Sequence, residues 1–196
     1  MKKLLILLLC WPALQLAAQK VPAWEKNFDY VDECICGLSK VGKDGKVGYV
    51  NNKGEVVIKL EYAEGLTFHD GVTAVRKETK WMYIDSNGVA ITEAIYEDAL
   101  PFSNGFAAVA KGGQFGFINT KGKVVIPYQF SNARSFSEGL APAANAKGFW
   151  GYIDIVGNWM IKPQYDFTDS FENGEARVMK GDKVFWINKD NNKLHE

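Results

Sequence analysis

The sequence predicts an all-β protein made of tandem repeats, and three observations carry that prediction. Glycines recur with spacings of 34, 34, 34 and 35 residues, at Gly37, Gly71, Gly105, Gly139 and Gly174. Aromatic residues keep the same register, with a phenylalanine three residues before each of the last four glycines. Short runs of apolar residues alternate with clusters of Gly, Asp and Asn, which is typical of strands joined by tight turns. A fixed period of this length indicates a repeat architecture.

The N-terminal residues stand outside this pattern. Two lysines precede an apolar run over residues 4–14 that is too short to span a bilayer, and small residues follow it. This arrangement predicts a secretory signal peptide over residues 1–18, cleaved after Ala18. A lipoprotein anchored through Cys10 is the alternative, although a lipid-modified cysteine normally follows a small residue and Cys10 follows Leu9.

Each repeat begins with a strand after the marker glycine. The equivalent segments are 38–41, 72–75, 106–109, 140–143 and 176–178. A two-residue turn follows, and Asp44-Gly45, Gly112-Gly113 and Gly181-Asp182 have the residue types of a type I′ hairpin turn. The single inserted residue falls in the equivalent turn of the fourth copy, at 145–148.

The second strand carries an aromatic-Gly-aromatic pattern, as in Trp150-Gly151-Tyr152. A turn with Asp or Asn first and glycine fourth follows it, at Asn51–Gly54, Asp85–Gly88, Asn119–Gly122 and Asp154–Gly157. The first side chain can accept backbone hydrogen bonds while the glycine is left-handed, so a hairpin with a bulge is expected. Third strands are expected at 56–58, 89–91, 124–126 and 159–161. The residues between each third strand and the next glycine form either a packed turn or a short fourth strand.

These patterns resemble the WG (KWG) repeat family of tandem bacterial repeats. The resemblance covers residues 20–194, and the copy at 147–154, Lys-Gly-Phe-Trp-Gly-Tyr-Ile-Asp, matches best. The Trp-Gly pair is intact only there, and Met82 and Phe185 stand where other copies have glycine. The resemblance implies a repeat fold and a secreted or envelope-associated location, and it implies no common catalytic residues.

The period makes residues 19–196 a single domain of about five repeat equivalents. Four whole copies, 38–71, 72–105, 106–139 and 140–174, lie between half-copies at 19–37 and 175–196. The halves could cap an open array, or they could join and close a five-bladed, propeller-like ring without exposed edges. Three sure strands are few for a four-stranded blade, so we expect an open, twisted β-array, with the closed ring as the alternative.

Composition removes several functional classes. The chain has 23 basic and 23 acidic side chains, and loss of the two lysines in the signal peptide leaves a net charge of −2. This balance lacks the clustered positive charge of a nucleic-acid-binding protein. Two histidines are too few for a multi-histidine metal site, so no metal or cofactor is expected. With no further membrane-length apolar run, the mature product is expected to be secreted or periplasmic, without a membrane span.

Few residues are candidates for catalysis. Asp85 and Asp154 align with asparagines in other copies, which indicates turn chemistry rather than metal binding. Cys36 and His69 could approach each other across adjacent repeats, but no third group orients them, and His195 is expected in a solvated tail. An acid pair for glycoside hydrolysis could come from Glu93, Glu97, Asp98, Asp166 and Asp169, although charged residues in turns usually face solvent. We therefore predict a protein that is not an enzyme.

Cys34 and Cys36 are a possible redox pair in an exported protein. A ring closed over one intervening residue is strained. Three states stay open: free or buried thiols, a strained redox-active bridge, or pairing between molecules.

Aromatic residues that break the register are the candidate ligand-stacking residues. Most rings recur in every copy, as a stacked core requires, whereas Trp24, Trp81, Phe149 and Trp159 lack a counterpart or replace a smaller residue. An exposed ring beside polar groups could stack on a sugar or anchor a peptide. The predicted function is binding or scaffolding of a protein or glycan in the cell envelope or outside the cell. A secreted hydrolase acting on glycans or peptides and a purely structural envelope component are the alternatives.

Overall fold

The computed structural model describes residues 22–196, so the predicted signal peptide and Cys10 lie outside the described residues. A short 3-10 helix, Ala23–Asn27, precedes a succession of strands. The strands are β1 (Tyr30–Val31), β2 (Leu38–Lys43), β3 (Lys46–Asn51), β4 (Val56–Tyr62), β5 (Glu64–Gly65), β6 (Val72–Lys77), β7 (Lys80–Asp85), β8 (Asp98–Ala99), β9 (Phe106–Lys111), β10 (Gln114–Asn119), β11 (Val124–Phe130), β12 (Asn132–Ala133), β13 (Ala141–Ala144), β14 (Trp150–Ile153), β15 (Trp159–Tyr165), β16 (Phe167–Thr168), β17 (Glu175–Lys180), β18 (Lys183–Asn188) and β19 (Lys193–His195).

The strands form five consecutive antiparallel sheets. Sheet 1 contains β1–β4, sheet 2 β5–β7, sheet 3 β8–β11, sheet 4 β12–β15 and sheet 5 β16–β19. In every sheet each strand pairs with its neighbour in sequence, so each sheet is a meander. The prediction of tandem antiparallel β-meander repeats is confirmed.

The segment that the sequence left open is a two-residue strand, and it belongs to the following sheet. Glu64-Gly65, for example, pairs with Arg76 and Val75 across the turn at Gly71. The structural unit therefore starts before the marker glycine, so the copies 38–71 to 140–174 each straddle two sheets. The expected half-copy 19–37 supplies one strand of sheet 1 and the half-copy 175–196 supplies three strands of sheet 5, so five sheets result rather than four with two halves.

The marker glycines lie in tight turns that connect the short strand to the first long one. In the third of these turns both central residues are left-handed, with φ of 54° at Asn104 and 81° at Gly105. This is the conformation of a type I′ turn. The predicted type I′ turns at Asp44-Gly45 and Gly112-Gly113 are confirmed by positive φ at both residues. The prediction is wrong for Gly181-Asp182, where Gly181 alone has a positive φ.

The turns that begin with Asp or Asn form as predicted. Asn119 Oδ1 accepts the backbone N–H groups of Lys121 at 3.0 Å and Lys123 at 3.1 Å, while Gly122 has a φ of 74°. The strands that flank the turn shift register by a bulge. The turn that holds the inserted residue of the fourth copy has the same hydrogen bonds. Asn145 Oδ1 accepts the backbone N–H groups of Lys147 and Phe149.

The central glycine of the second long strand lets the third long strand approach closely. A Cβ atom on Gly151 would lie 2.3 Å from the carbonyl oxygen of Ile161. Met82 occupies this position in sheet 2, and the expected third strand at 89–91 is wrong there. Only isolated bridges, such as Ile84 to Ala90, form. The side chain of Met82 stands where the neighbouring backbone lies in the sheets that have glycine at this position.

The core lies between sheets, and it shows that the array is open. One apolar cluster joins each consecutive pair of sheets, which makes four clusters for five sheets. Between sheets 3 and 4, for example, Phe117 and Ile126 pack with Phe136, Ala143 and Ile153. A closed ring would need a fifth cluster between sheets 5 and 1, and residues 22–196 contain none. The open array is confirmed.

Candidate functional site

An aromatic slot recurs at every interface between sheets. One phenylalanine of the later sheet packs against the ring that the earlier sheet presents from its second long strand. The pairs are Tyr49–Phe68, Tyr83–Phe102, Phe117–Phe136 and Tyr152–Phe171, with ring centroids 4.9, 5.0, 4.9 and 4.7 Å apart. The inserted phenylalanines are 1–3% exposed. We call this place on each sheet its aromatic slot.

In three of the four slots, a tyrosine hydroxyl also donates a hydrogen bond to the backbone that follows the short strand of the next sheet. Tyr49 donates to the carbonyl oxygen of Leu66 at 2.6 Å, and Tyr83 and Tyr152 donate to equivalent carbonyls, both at 2.7 Å. Burial raises the pKa of all three phenols, so they stay protonated donors. The polar end of each ring thus joins consecutive sheets.

Side chains of the type I′ turns bind the backbone of the inserted segment. Ser137 Oγ donates to the carbonyl oxygen of Phe171 at 2.6 Å, and Asn104 Nδ2 donates to that of Phe136 at 3.0 Å. The carboxylate of Asp70 accepts the N–H of Gly105 at 3.0 Å. These contacts link the turns into one row along the edge of the array.

The N-terminal end of the array is capped by the 3-10 helix. Trp24 lies 34 residues before Ile58. It packs against sheet 1 at the position where Ile58 packs against sheet 2. A Cβ on Gly54 would lie 2.3 Å from Trp24 Cγ, and a Cβ on the equivalent Gly88 would lie 3.4 Å from Ile58. Trp24 also packs edge-on against Phe28, with centroids 6.3 Å apart. The helix substitutes for a preceding sheet.

The C-terminal end differs, because within residues 22–196 no further sheet packs on the outer face of sheet 5. Positions that are apolar in sheet 4 become polar there: Glu175 replaces Leu140, and Arg177 replaces Pro142. Trp186 stands in the register of Tyr152. A pocket of about 320 Å³ opens beside it, lined by Asp169, Ser170, Glu172, Asn173, Glu175, Arg177 and Trp186. This pocket is the aromatic slot of sheet 5, and we call it the fifth slot.

The polar groups of the fifth slot are partly paired. Arg177 Nε donates to Asp169 Oδ2 at 2.8 Å, and His195 Nε2 lies 3.0 Å from Glu175 Oε2. The His195 ring stacks on Trp186, with centroids 4.9 Å apart and planes at 20°. His195 is exposed, as expected, but it belongs to β19 rather than to a frayed tail.

The predicted ligand-stacking residues take different positions. Trp81 and Trp159 are half-buried and pack against the cores between sheets 2 and 3 and between sheets 3 and 4. Trp159 lies edge-on to Phe130, with centroids 5.6 Å apart. Trp24 forms the N-terminal cap, and Phe149 is 42% exposed at a loop tip. The structure does not bring the four rings together, and Phe149 alone among them is classed as exposed.

Cys34 and Cys36 are both exposed and free. Cys34 stands in the register of the inserted phenylalanines, and no described sheet precedes it to receive a ring. Cys36 is the first central residue of its turn, with a φ of 54° and its Sγ 3.8 Å from the carbonyl oxygen of Phe68. Of the three states left open, free thiols are what the structure contains. No hydrogen bond in residues 22–196 joins Cys36 to the exposed side chain of His69.

Two of the carboxylates considered for acid catalysis, Glu97 and Asp166, accept backbone N–H groups of turns, and Asp169 is paired with Arg177. Glu97 accepts from Gly113 at 2.8 Å and Gly112 at 3.2 Å, and these N–H groups lower its pKa. Asp166 accepts from Gly181 at 2.7 Å. Partial burial by itself raises the pKa of Asp154, but donation from the backbone of Asn158 and Val156 outweighs it and lowers that pKa. The turn chemistry predicted for Asp85 and Asp154 is confirmed.

Residues 22–196 lack a metal-binding cluster and a membrane-spanning helix. No three His, Cys, Asp or Glu side chains are grouped so that they could hold a metal ion. Within the same residues, no helix combines the length and the apolar character needed to cross a membrane.

Stacked antiparallel meanders with recurring aromatic slots define an open all-β tandem-repeat protein. The sequence matches the WG containing repeat family at residues 48–81, 81–114, 115–145 and 150–183. The chain belongs to this family. No curated protein sequence matches it.

Solved structures are similar in fold alone. The computationally designed Ika8 protein aligns with a TM-score of 0.55 and 13% identity, over 84% of this chain and 60% of that one. A eukaryotic initiation factor aligns with a TM-score of 0.57 and 9% identity, over 85% and 53%. Hsv2 of Kluyveromyces lactis aligns with a TM-score of 0.52 and 12% identity, over 81% and 59%. The chain spans between half and three-fifths of these structures.

The fifth slot was not predicted from the sequence, although the sequence carries its signal. Trp186 keeps the aromatic register, and rings that recur in every copy are expected in the core. The polar replacements Glu175 and Arg177 give this face the polar character that the outer face of a terminal repeat has in solenoids. Comparing the last copy with the others position by position would have found it.

Proposed function

We propose that this chain is an exported, non-catalytic repeat protein that binds or scaffolds a protein or glycan partner in the cell envelope or outside the cell. The observation that carries the proposal is the register of the five sheets. Because equivalent turns form one row along the array, the surface offers the same shallow feature several times. Such a surface suits a repetitive or polymeric partner, since several weak contacts combine through avidity.

The assignment as non-catalytic is supported by how the polar side chains are used. Glu97, Asp154 and Asp166 each accept backbone hydrogen bonds within turns. Glu138 is paired with Lys189 at 3.0 Å and also accepts from Gly174. Side chains that hold these hydrogen bonds and ion pairs stabilise the repeats and are poorly placed to transfer protons to a substrate.

The proposed export rests on the N-terminal sequence, and mass spectrometry of the mature protein tests it. We expect an N-terminus at Gln19. A lipid-modified N-terminal Cys10 would indicate the lipoprotein instead, and an intact Met1 in the secreted fraction would contradict cleavage.

The binding role is tested by capture from envelope material of the source organism, with glycans and peptidoglycan included. The immobilised protein should retain a specific protein or glycan that a heat-denatured sample does not. Capture of nothing under these conditions would favour a purely structural component. Turnover of a glycan or peptide substrate, retained after further purification, would contradict the non-catalytic assignment.

A further inference from the structure

We propose that the fifth slot binds an extended segment of another protein, one that carries an aromatic side chain close to a lysine or arginine. This inference rests on the proposed binding function and specifies its site and partner chemistry. It follows from the four equivalent slots in the same chain, from the charge of the fifth, and from the mismatch between the two ends of the array.

The inner slots show what shape the fifth slot accepts. Each receives a phenylalanine from an extended segment that enters a type I′ turn, for example Phe136 against Phe117. The fifth slot keeps the receiving ring as Trp186 and keeps an amide donor at Asn173, in the register of Asn104. Since Asn104 donates to the carbonyl oxygen of Phe136, Asn173 is placed to do the same for an incoming segment. The geometry that repeats in the inner slots favours an aromatic residue on an extended backbone as the occupant of the fifth slot.

The lining of the fifth slot adds a requirement for positive charge. Glu172 stands in the register of Ser137, and Glu175 in that of Leu140. With Asp169, three carboxylates line the slot; Asp169 pairs with the guanidinium of Arg177, Glu175 lies beside His195, and Glu172 has no basic partner among the lining residues. The lining therefore has an excess of negative charge beside an aromatic ring. A basic side chain next to the inserted ring would complement it.

The N-terminal end of a second copy does not match this slot. The segment that would insert carries Cys34 where the inner segments carry phenylalanine. Trp24 also covers the face of sheet 1 against which another sheet would stack, as its contact with Gly54 shows. Head-to-tail stacking of copies is therefore disfavoured, and the occupant is a different protein.

The chain itself supplies a probe peptide. Residues 132–141, Asn-Ala-Arg-Ser-Phe-Ser-Glu-Gly-Leu-Ala, fill the slot of sheet 3 and contain Arg134 and Phe136. The probe is this peptide with Glu138→Lys, which makes it basic. Two control peptides carry Phe136→Ala in the basic peptide, or Arg134→Glu with the natural Glu138. Titration of the isotope-labelled protein, followed by NMR, should give saturable shifts at the Trp186 indole and at sheet 5 amides with the probe alone.

Protein variants separate the slot from the rest of the molecule. Glu172→Lys should weaken binding about tenfold, because an attraction becomes a repulsion at an exposed site. Asp182→Lys changes the charge by the same amount in a turn of sheet 5 outside the slot. It should change the affinity for the probe by less than about twofold. Trp186→Ala should abolish binding of the probe, whereas Trp186→Tyr, which introduces the residue of three of the four inner slots, should retain it.

Several results would overturn the inference. Equal binding of the Phe136→Ala or the acidic peptide would remove the aromatic or the basic requirement, and shifts outside sheet 5 would remove the site. Saturation of the slot by a soluble oligosaccharide, with no response to the probe, would assign it to glycans. A partner captured equally by wild type and Glu172→Lys would leave the proposed function standing while the slot fails. Absence of both capture and peptide binding would contradict both.

Discussion

Replacement of Gly151 by alanine should destabilise the protein by separating β14 from β15. The added Cβ would lie 2.3 Å from the carbonyl oxygen of Ile161, 2.8 Å from the nitrogen of Pro163 and 2.9 Å from the carbonyl carbon of Lys162. All three atoms are backbone, so no side chain can rotate away. Ordinary contact begins near 3.4 Å, and β15 must therefore retreat by about 1 Å.

The cost follows from that displacement. A retreat of 1 Å takes a normal N–H···O distance beyond hydrogen-bonding range, and each ladder bond lost costs about 1 kcal/mol. Overpacking of a buried site costs a further 1–3 kcal/mol or so. Replacing a strand glycine by alanine returns roughly 0.5–1 kcal/mol of backbone entropy. We expect a net loss of about 2–3 kcal/mol in the free energy of unfolding.

Urea denaturation measures this loss, and hydrogen exchange locates it. Exchange should accelerate first in β14 and β15, since a repeat array opens locally. Gly113→Ala is the matched control, because Gly113 has a φ of 74° and no atom near its Cβ position, so that it reports conformational strain alone. That strain costs about 1–2 kcal/mol. If Gly151→Ala is no more destabilising than Gly113→Ala, the close-approach explanation for the central glycine is wrong.

Three further predictions concern the turns and the N-terminal end. The lowered pKa of Asp154 means that its carboxylate stabilises the fold above its unfolded-state pKa and that this contribution is lost as pH falls through the folded-state value. Wild type should therefore lose stability relative to Asp154→Asn below about pH 4 in thermal melts, and parallel curves would contradict this. Trp24→Ala should cost about 2 kcal/mol, with faster hydrogen exchange in sheet 1 and no effect on peptide binding at sheet 5, because the ring caps the array. Cys34 and Cys36 should both react with a thiol reagent in the folded protein, whereas a count of zero would indicate a bridge.

The local parts of the fold were predictable because each depends on residues that lie close in sequence. Asn119 and Gly122 form their turn with their own neighbours, and the chemistry of the two residues is enough to identify it. The assignment of each short strand to the following sheet was not predictable in the same way. The pairing of Glu64 with Arg76 depends on β5, whose two residues are too few to show an alternation of polar and apolar side chains.

The aromatic residues show why the candidate site was only partly accessible from sequence. Trp81 and Trp159 break the register, and a break alone does not tell whether a ring points into a core or into solvent. Trp186 keeps the register and lies at the surface, because its surroundings depend on whether another sheet follows. The register predicts which positions of the repeats are equivalent. Whether another sheet packs on a position decides whether its side chain is buried or exposed.

The sequence by itself determined the period, most of the long strands and most of the turn chemistry, since all of these repeat within about 34 residues. Only the tertiary structure decided that the array is open, because that depends on which sheets pack against each other. The same structure showed Trp24 closing one end and left a polar aromatic slot at the other. The physical reason is that a stacked repeat satisfies its faces through neighbours, and a terminal face has only what its own side chains provide.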